Sequence, residues 1–270
     1  MKKTVIVGLT IVFYSCASIK VDVPAKFAAE ATNMHVKGLR GWRPSPKLSF
    51  GKYFTSAVKK GLVAQKEKNN IPGSFLGTQE MLHLFNISKT DITATEKNKF
   101  HYKLSDGRLS AEIICLEKFT SQNQQLGGPH IGLYSKTLNA EYYLTGFIQN
   151  IKNKDTSLWN LQLYSKYNNA ENINQFPIVI PGIEQAGYLI HDNDSITIQP
   201  VKINKITTRK NKTDIPVRLL SGYEFRIDDG VIGIVDILND NIWLYNDLDD
   251  DTKLIIAAAA SAILLRKQNH

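Results

Sequence analysis

Cysteine is nearly absent from this chain: Cys16 and Cys115 are the only two in 270 residues. Two cysteines close at most one bridge, so a disulfide framework is excluded as the source of stability. The six histidines are scattered, none at His-x-x-x-His spacing, and no Cys-x-x-Cys occurs, which leaves a zinc centre without support. The G-x-S-x-G elbow of a serine hydrolase is missing. One Ser-x-x-Lys is present, Ser56-Ala57-Val58-Lys59, but without its companion Ser-Asp-Asn and Lys-Thr-Gly motifs it reads as a chance match. Gly127-Gly128-Pro129-His130 lacks the lysine of a phosphate loop and reads as a turn. The acidic clusters at 192–194 and 249–251 lack the spaced ligands and glycine of a calcium loop, and suit turn and helix-cap positions. Apolar runs of membrane-spanning length are missing too: residues 4–14 and 254–265 both fall short of the ~20 that a bilayer requires. These gaps leave no cofactor, no metal and no catalytic set to expect.

What is present begins at the N-terminus. Lys2 and Lys3 form a positive region, residues 4–14 an apolar run of signal-peptide length, and Ser15 precedes Cys16. A short apolar run that ends at a cysteine resembles a bacterial lipoprotein signal. In that class the peptide is cut before the cysteine, which becomes the lipidated first residue. Ser15 fits the pattern before the cut and Phe13 is an apolar substitute for its leucine, while Tyr14 departs from the small residue expected there. The resemblance implies a signal peptide over 1–15, a lipidated Cys16 carrying a palmitate-type anchor, and a membrane as partner through that lipid; residues 16–37 read as a tether, with a short helix over 25–32 as the alternative for that part. An ordinary signal cut around Ser15-Cys16-Ala17 is the alternative, and it also sends the chain across the inner membrane. Cys115 then has no partner, and beside Ile113, Ile114 and Leu116 it reads as a buried strand cysteine.

Charge is unevenly spread. The chain carries 33 Lys+Arg against 25 Asp+Glu, a formal charge of +8; without Lys2 and Lys3 the balance is 31 − 25 = +6. Residues 37–68 hold nine basic residues (Lys37, Arg40, Arg43, Lys47, Lys52, Lys59, Lys60, Lys66, Lys68) and one acid, Glu67. Behind a lipid anchor such a segment would face anionic head groups, each charge contributing ~1 kcal/mol, or it would serve as a solvated face. Export excludes nucleic acid as a partner.

From residue 38 onward, short strand-like runs alternate with Asn-, Asp-, Gly- and Lys-rich turns. The pattern predicts a mainly β (α+β) fold: an antiparallel sandwich or barrel-like meander with a buried C-terminal helix. Residues 38–270 read as a single β-rich globular domain, with subdivision near 120–140 as the alternative. Strands are expected at 48–50 and 53–58, with a loop at 66–70. Hairpins are expected over 100–104/109–116, 141–151/157–165, 187–191/195–203 and 223–227/231–238, followed by a strand at 242–245. Asp228-Asp229-Gly230 supplies positive φ through its Asp-Gly pair. Residues 254–265 are apolar nearly all round, with acids before and bases after, as suits a helix buried against the strands around 223–245. Tyr142, Tyr143, Phe147, Trp159 and Tyr164 would line either the core or a ligand cleft.

The anchor, the Lys/Asn/Ile-rich composition and the segments FHYKLSDGRLSAEIICLE, GYEFRIDDGVIGIVDILNDNIWLYNDLDDD and DLDDDTKLIIAAAASAILL resemble small exported lipoproteins of Bacteroidota. The likeness implies a bacterial envelope location, on the outer membrane and facing the periplasm, because Ala17-Ser18-Ile19-Lys20 lacks the acids of a surface-export signal. Asp194-Ser195-Ile196 is similar to the O-glycosylation pattern of that phylum but suits a turn-to-strand junction equally. Three functions remain open. The first is a non-enzymatic binding or structural module working with head groups or another envelope component. The second is an envelope hydrolase using Cys115 with His101 or His130. The third is a carrier of an apolar ligand, which requires a large apolar cavity.

Overall fold

The computed structural model describes residues 21, 23–40, 44–70, 88–128, 132–151, 158–168, 183–207 and 212–266. The signal-like segment, Cys16, His130 and the 152–156 turn lie outside them.

Helix α1 (Ala25–Glu30) runs directly into β1 (Ala31–His35). Then come β2 (Ser49–Phe50), β3 (Tyr53–Thr55), β4 (Lys59–Lys60) and β5 (Ala64–Asn70). The long strands follow: β6 (Ser88–Ser105), β7 (Ser110–Gly128), β8 (Gly132–Asn150), β9 (Leu158–Asn168), β10 (Ile183–His191), β11 (Asp194–Thr207) and β12 (Lys212–Ile227). Two short strands, β13 (Gly230–Asp236) and β14 (Asn241–Tyr245), precede helix α2 (Asp250–Arg266).

All fourteen strands belong to one antiparallel sheet in the order β1-β14-β13-β12-β11-β10-β9-β8-β7-β6-β3-β2. Strands β4 and β5 continue β3's line along β6. Just past β1, Lys37 pairs with Ser49 of β2 through two backbone bonds of 2.9 and 3.1 Å, which brings the two ends of the sheet together. The meander is therefore a barrel rather than a sandwich. Its side chains alternate with the pleat. On β6, Asn98, Phe100, Tyr102 and Leu104 are buried inside; on β7 the inner row is Ala111, Ile113, Cys115 and Glu117.

Helix α2 fills that interior. The twelve residues from Leu254 to Leu265 are each at most 2 % exposed, and the helix touches β6, β7, β8, β13 and β14. A helix enclosed on every side has no polar face, which is why its sequence shows no amphipathic stripe. The expectation of a helix buried against 223–245 is met and exceeded, since the opposite wall encloses it as well. Small residues permit this fit. A Cβ on Gly233 of β13 would lie 2.9 Å from Ile256 Cγ2, so the wall has no room there for a larger residue. Inside the helix, the hydroxyls of Tyr102 and Ser261 bond each other at 2.7 Å, and Ser261 Oγ donates to the Ala258 carbonyl at 2.8 Å. A hydroxyl buried in an apolar core is thereby satisfied.

Several boundaries differ from the expected ones. Within the expected tether, Ala25–Glu30 form the short helix α1, as the alternative for that part had it, and Ala31–His35 form β1, which pairs with β14 from Ala31↔Tyr245 to His35↔Asn241. Val21 and Phe27 are buried with Ile234 on the outside of the barrel, against Trp243 and Tyr245, so the apolar residues of this stretch have a core of their own. Residues 66–70 are not a loop but part of β5, paired from Ala64↔Lys97 to Asn70↔Asp91. Their lysines and asparagines carry no apolar alternation, and they join the sheet by backbone pairing with β6. Lysine on such an outer strand also discourages unwanted pairing. The positive φ of the β12–β13 turn sits at Asp228 (φ 50°) rather than Gly230, and Asp192 does the same between β10 and β11 (φ 49°).

The N-terminal end of α2 is pinned to the barrel floor. Asp249 caps it by accepting the Thr252 amide at 2.8 Å. Lys52 Nζ lies 2.9 Å from Asp106 and 3.2 Å from Asp250; Arg108 also pairs with Asp250, and Asn150 Nδ2 donates to Asp251 at 3.0 Å. Burial alone would raise the Asp106 carboxyl, but the Leu109 and Arg108 amides and the Lys52 ammonium outweigh it and hold it at about 2. A pKa below the ordinary 3.8 contributes stability above pH ~4, and that contribution is lost as pH falls from about 4 toward 2. Because Lys52 is half exposed, the expected loss is about 1–2 kcal/mol rather than the full linkage value. Urea unfolding of wild type and Asp106→Asn between pH 5 and 2 tests this. The acid decline should be shallower in the variant, and parallel curves would remove Asp106 from the account.

Candidate functional site

Two places stand out: a polar cap inside the barrel over the C-terminal end of α2, and an apolar wall with a lysine flank on the outside.

The cap forms where the inward rows of β6 and β7 change from apolar to polar. Glu117 is 4 % exposed. Its carboxylate accepts Asn98 Nδ2 at 2.9 Å on one oxygen and the Tyr142 hydroxyl at 2.8 Å on the other. The Arg266 guanidinium stacks 4.0 Å from the Tyr142 ring centroid and donates to the Tyr223 hydroxyl at 2.8 Å. Arg266 ends α2, where the helix dipole favours a cation. Burial drives the Tyr142 hydroxyl far above its usual pKa, which Arg266 opposes and the Glu117 charge reinforces, so it remains a neutral donor to the carboxylate. Asn98 Oδ1 is buried with no hydrogen-bond partner among the described residues. The arrangement fixes a buried carboxylate with neutral donors and seals the helix end with a stacked cation.

The exterior wall spans β7 to β10. Ile114 (54 % exposed), Leu116 (41 %), Phe147 (45 %), Leu158 (49 %), Tyr188 (45 %) and Ile190 (40 %) all point outward. The ladder sets Ile114 beside Phe147 in one row, with Ile190 one strand beyond Asn160; in the next row Thr145 and Gln162 stand between Leu116 and Tyr188, and Leu158 pairs with Gln149. Exposed Lys97, Lys99 and Lys103 flank them on β6, and Lys118 sits 6.0 Å from the Tyr143 ring.

The basic segment over 37–68 is not one patch. Arg40 bonds Asp240 at 2.6 Å near the β13–β14 turn, and Lys52 joins the floor network. Lys59, Lys60, Lys66 and Lys68 run along β6.

Cys115 is 1 % exposed and faces the interior, and burial pushes its thiol well above the ordinary range. Its sulfur occupies the space a Cβ on Gly146 would take, at 2.9 Å. His101 lies on the outer face of β6, opposite Ile114, whereas Cys115 pairs with Phe100 on the inner face. The two therefore stand on opposite sides of one sheet and cannot form a nucleophile–base pair. His130 lies outside the described residues. The five aromatics divide likewise: Tyr142 faces in, Phe147 and Tyr143 face out, Tyr143 and Tyr164 meet at 4.8 Å, and Trp159 packs on His191 at 5.3 Å. They line no single cleft. Among the described residues, no three His, Cys, Asp or Glu side chains lie close enough together to hold a metal, and no helix is long and apolar enough to cross a membrane.

Comparison with protein-family models, curated proteins and solved structures finds no match to this chain.

Glu117 and Asn98 went unnoticed in the sequence because charged residues adjoin them, Lys118 beside Glu117 and Lys97 and Lys99 on either side of Asn98, so both read as surface. The signal was available in the period of two: continuing the inward row Ala111, Ile113, Cys115 by one step places a carboxylate on the core side.

Proposed function

We propose that this is a lipid-anchored protein of the bacterial envelope, held by lipid on Cys16, that acts as a non-enzymatic binding or structural module. The observation that carries the binding role is the six-residue apolar wall on β7 to β10 with lysines along one flank. Surfaces of this kind on a soluble face mark interaction sites. The anchor rests on the lysines, apolar run and cysteine of residues 2–16. Helix α2 occupies the volume an apolar cargo would need, which favours the module over the carrier. The position of Cys115 likewise weighs against the hydrolase built on it with His101.

From Cys16 to Val21 is five residues, a reach of at most about 17 Å. Val21 is buried against the outer wall near Ile234 and Trp243, so the anchor would keep the β13–β14 side close to the bilayer. Cys16→Ser tests the reading. The variant should lose labelling by a palmitate analogue and move from the membrane to the soluble fraction. Unchanged labelling and partition would show that something else holds the protein.

A further inference from the structure

We propose that the outer face of β4, β5 and β6 lies flat on a bilayer of anionic phospholipid, with Leu62 and Val63 entering the head-group region, an inference that rests on the lipid-anchored reading of the chain. Residues paired directly across a ladder share a face. Lys59 opposite His101, Lys66 opposite Thr95 and Lys68 opposite Thr93 therefore project outward with Lys97 and Lys99 of β6. Lys118 of β7 stands directly opposite Lys97 on the same face. Glu67 pairs with Ala94, so it points to the other face from Lys66 and Lys68. Between Thr93 and His101 the outer rows of β5, β6 and β7 carry no acid. The nearest on these strands are Asp91, which accepts from Gln124 at 3.2 Å, and Glu112 opposite Lys103. All six lysines are exposed, and among the described residues none of them forms an ion pair.

Like charges directly opposite each other weaken a ladder, so Lys97 beside Lys118 is a cost that an external anion removes. The lysine strip runs about 26 Å along β6, from the level of His101 to that of Thr93, which suits a charged plane better than one small anion. What selects a bilayer over an acidic protein is the turn between β4 and β5. Leu62 is 98 % exposed and Val63 51 %, with Lys59 and Lys60 before them and Lys66 and Lys68 after. Apolar side chains held in water among ammoniums gain by entering the boundary of head groups and acyl chains, while the lysine stems keep their charges at the surface. The strand order agrees. Strands β4 and β5 continue the line of β3, which stands three places from β14 through the β1–β2 closure. About 14 Å of wall therefore separates the strip from the side to which Val21 is fixed, and one bilayer surface can meet both.

A nitrobenzoxadiazole probe on Leu62→Cys tests this in the anchored full chain. Cys115 is 1 % exposed and a lipidated Cys16 has no thiol, so the parent chain should take no label. The labelled protein is reconstituted in vesicles of phosphatidylcholine, with or without phosphatidylglycerol. Its emission should shift to the blue only where phosphatidylglycerol is present. The same probe on Asp192→Cys, at the exposed β10–β11 turn, should stay in water. Each lysine neutralised in the series Lys66→Gln, Lys68→Gln, Lys97→Gln and Lys99→Gln should lower the ratio of inserted to water-exposed probe about fivefold.

No blue shift with phosphatidylglycerol, an equal shift without it, or an equal shift of the Asp192→Cys probe overturns the proposal. So does a shift that appears in native envelope membranes but not in vesicles of lipid alone, since that would give the strip to an acidic protein. Flotation separates the strip from the anchor. A chain that leaves phosphatidylcholine vesicles, yet floats with phosphatidylglycerol ones until salt is raised, would keep the strip and overturn the lipid on Cys16. A chain that floats with neither overturns both. The melting temperature of each variant, unchanged for these exposed positions, keeps a folding failure from being read as lost contact.

Discussion

Ala259→Asp is expected to abolish cooperative folding of this protein. Ala259 is wholly buried midway along α2, with barrel wall on every side of the helix. The new carboxylate would have no water to reach by a rotamer change. It would ionise at a cost of several kcal/mol, or stay protonated and still displace packed neighbours. Either cost is comparable to the ~5–15 kcal/mol that stabilises a whole domain. Ala259→Gly sets the scale for helix propensity alone and should cost about 1 kcal/mol plus a small cavity term. Thermal unfolding followed by circular dichroism separates the cases. The glycine variant should melt cooperatively a few degrees below wild type, and the aspartate variant should show no native transition. A native-like melting curve for Ala259→Asp would mean that α2 lies outside the barrel.

The fold was legible where the chain obeys the pleat. Alternation over 100–104 and 109–116, with Asp106-Gly107 between them, predicts the β6–β7 hairpin, and Gly107 does take positive φ at 91°. The helix was legible because a twelve-residue run, apolar but for Ser261, sits between Asp249 and Arg266. That it lies inside the sheet was not, because an all-apolar helix looks alike whether one wall or a whole barrel covers it. Strand length was legible only in part. The outer stretch of β6, from Ser88 to Lys97, is mostly polar, with three threonines and two lysines, and the backbone pairing with β5 and β7 that extends it leaves no apolar signature. Polar residues at both ends of a strand read as loop until a partner strand is known. The same blindness hid β1, since only Met34 of Ala31–His35 is buried.

The exterior wall was half visible. Ile114 and Leu116 stand out beside Cys115, but a buried strand and a docking strand share one composition. The order of four strands is needed to put Ile114, Phe147, Tyr188 and Ile190 on one face. The candidate hydrolase pair failed for a reason the sequence did contain. His101 and Cys115 belong to opposite faces once the Asp-Gly turn fixes the register, because Phe100 is the partner of Cys115.

The polar cap gives the second large expected effect. Glu117→Leu removes the acceptor of two buried donors, Asn98 Nδ2 and the Tyr142 hydroxyl, and leaves an apolar side chain in its place. Each stranded donor costs about 1–3 kcal/mol, so a loss of about 3–5 kcal/mol is expected. The asymmetry between losing one partner and losing both can then be measured. Tyr142→Phe removes one stranded donor while preserving the ring on which Arg266 stacks, so Glu117→Leu with Tyr142→Phe should be more stable than Glu117→Leu alone. A double-mutant cycle by urea unfolding reads the coupling directly. If the two changes add, with no recovery in the double variant, the Tyr142–Glu117 bond contributes nothing and the cap is only packing. Recovery of about 1–2 kcal/mol would establish that the buried carboxylate is held in place by its donors. Glu117→Gln keeps an acceptor for one donor and brings an amide of its own to the unpartnered Asn98 Oδ1, and it should fall between wild type and Glu117→Leu.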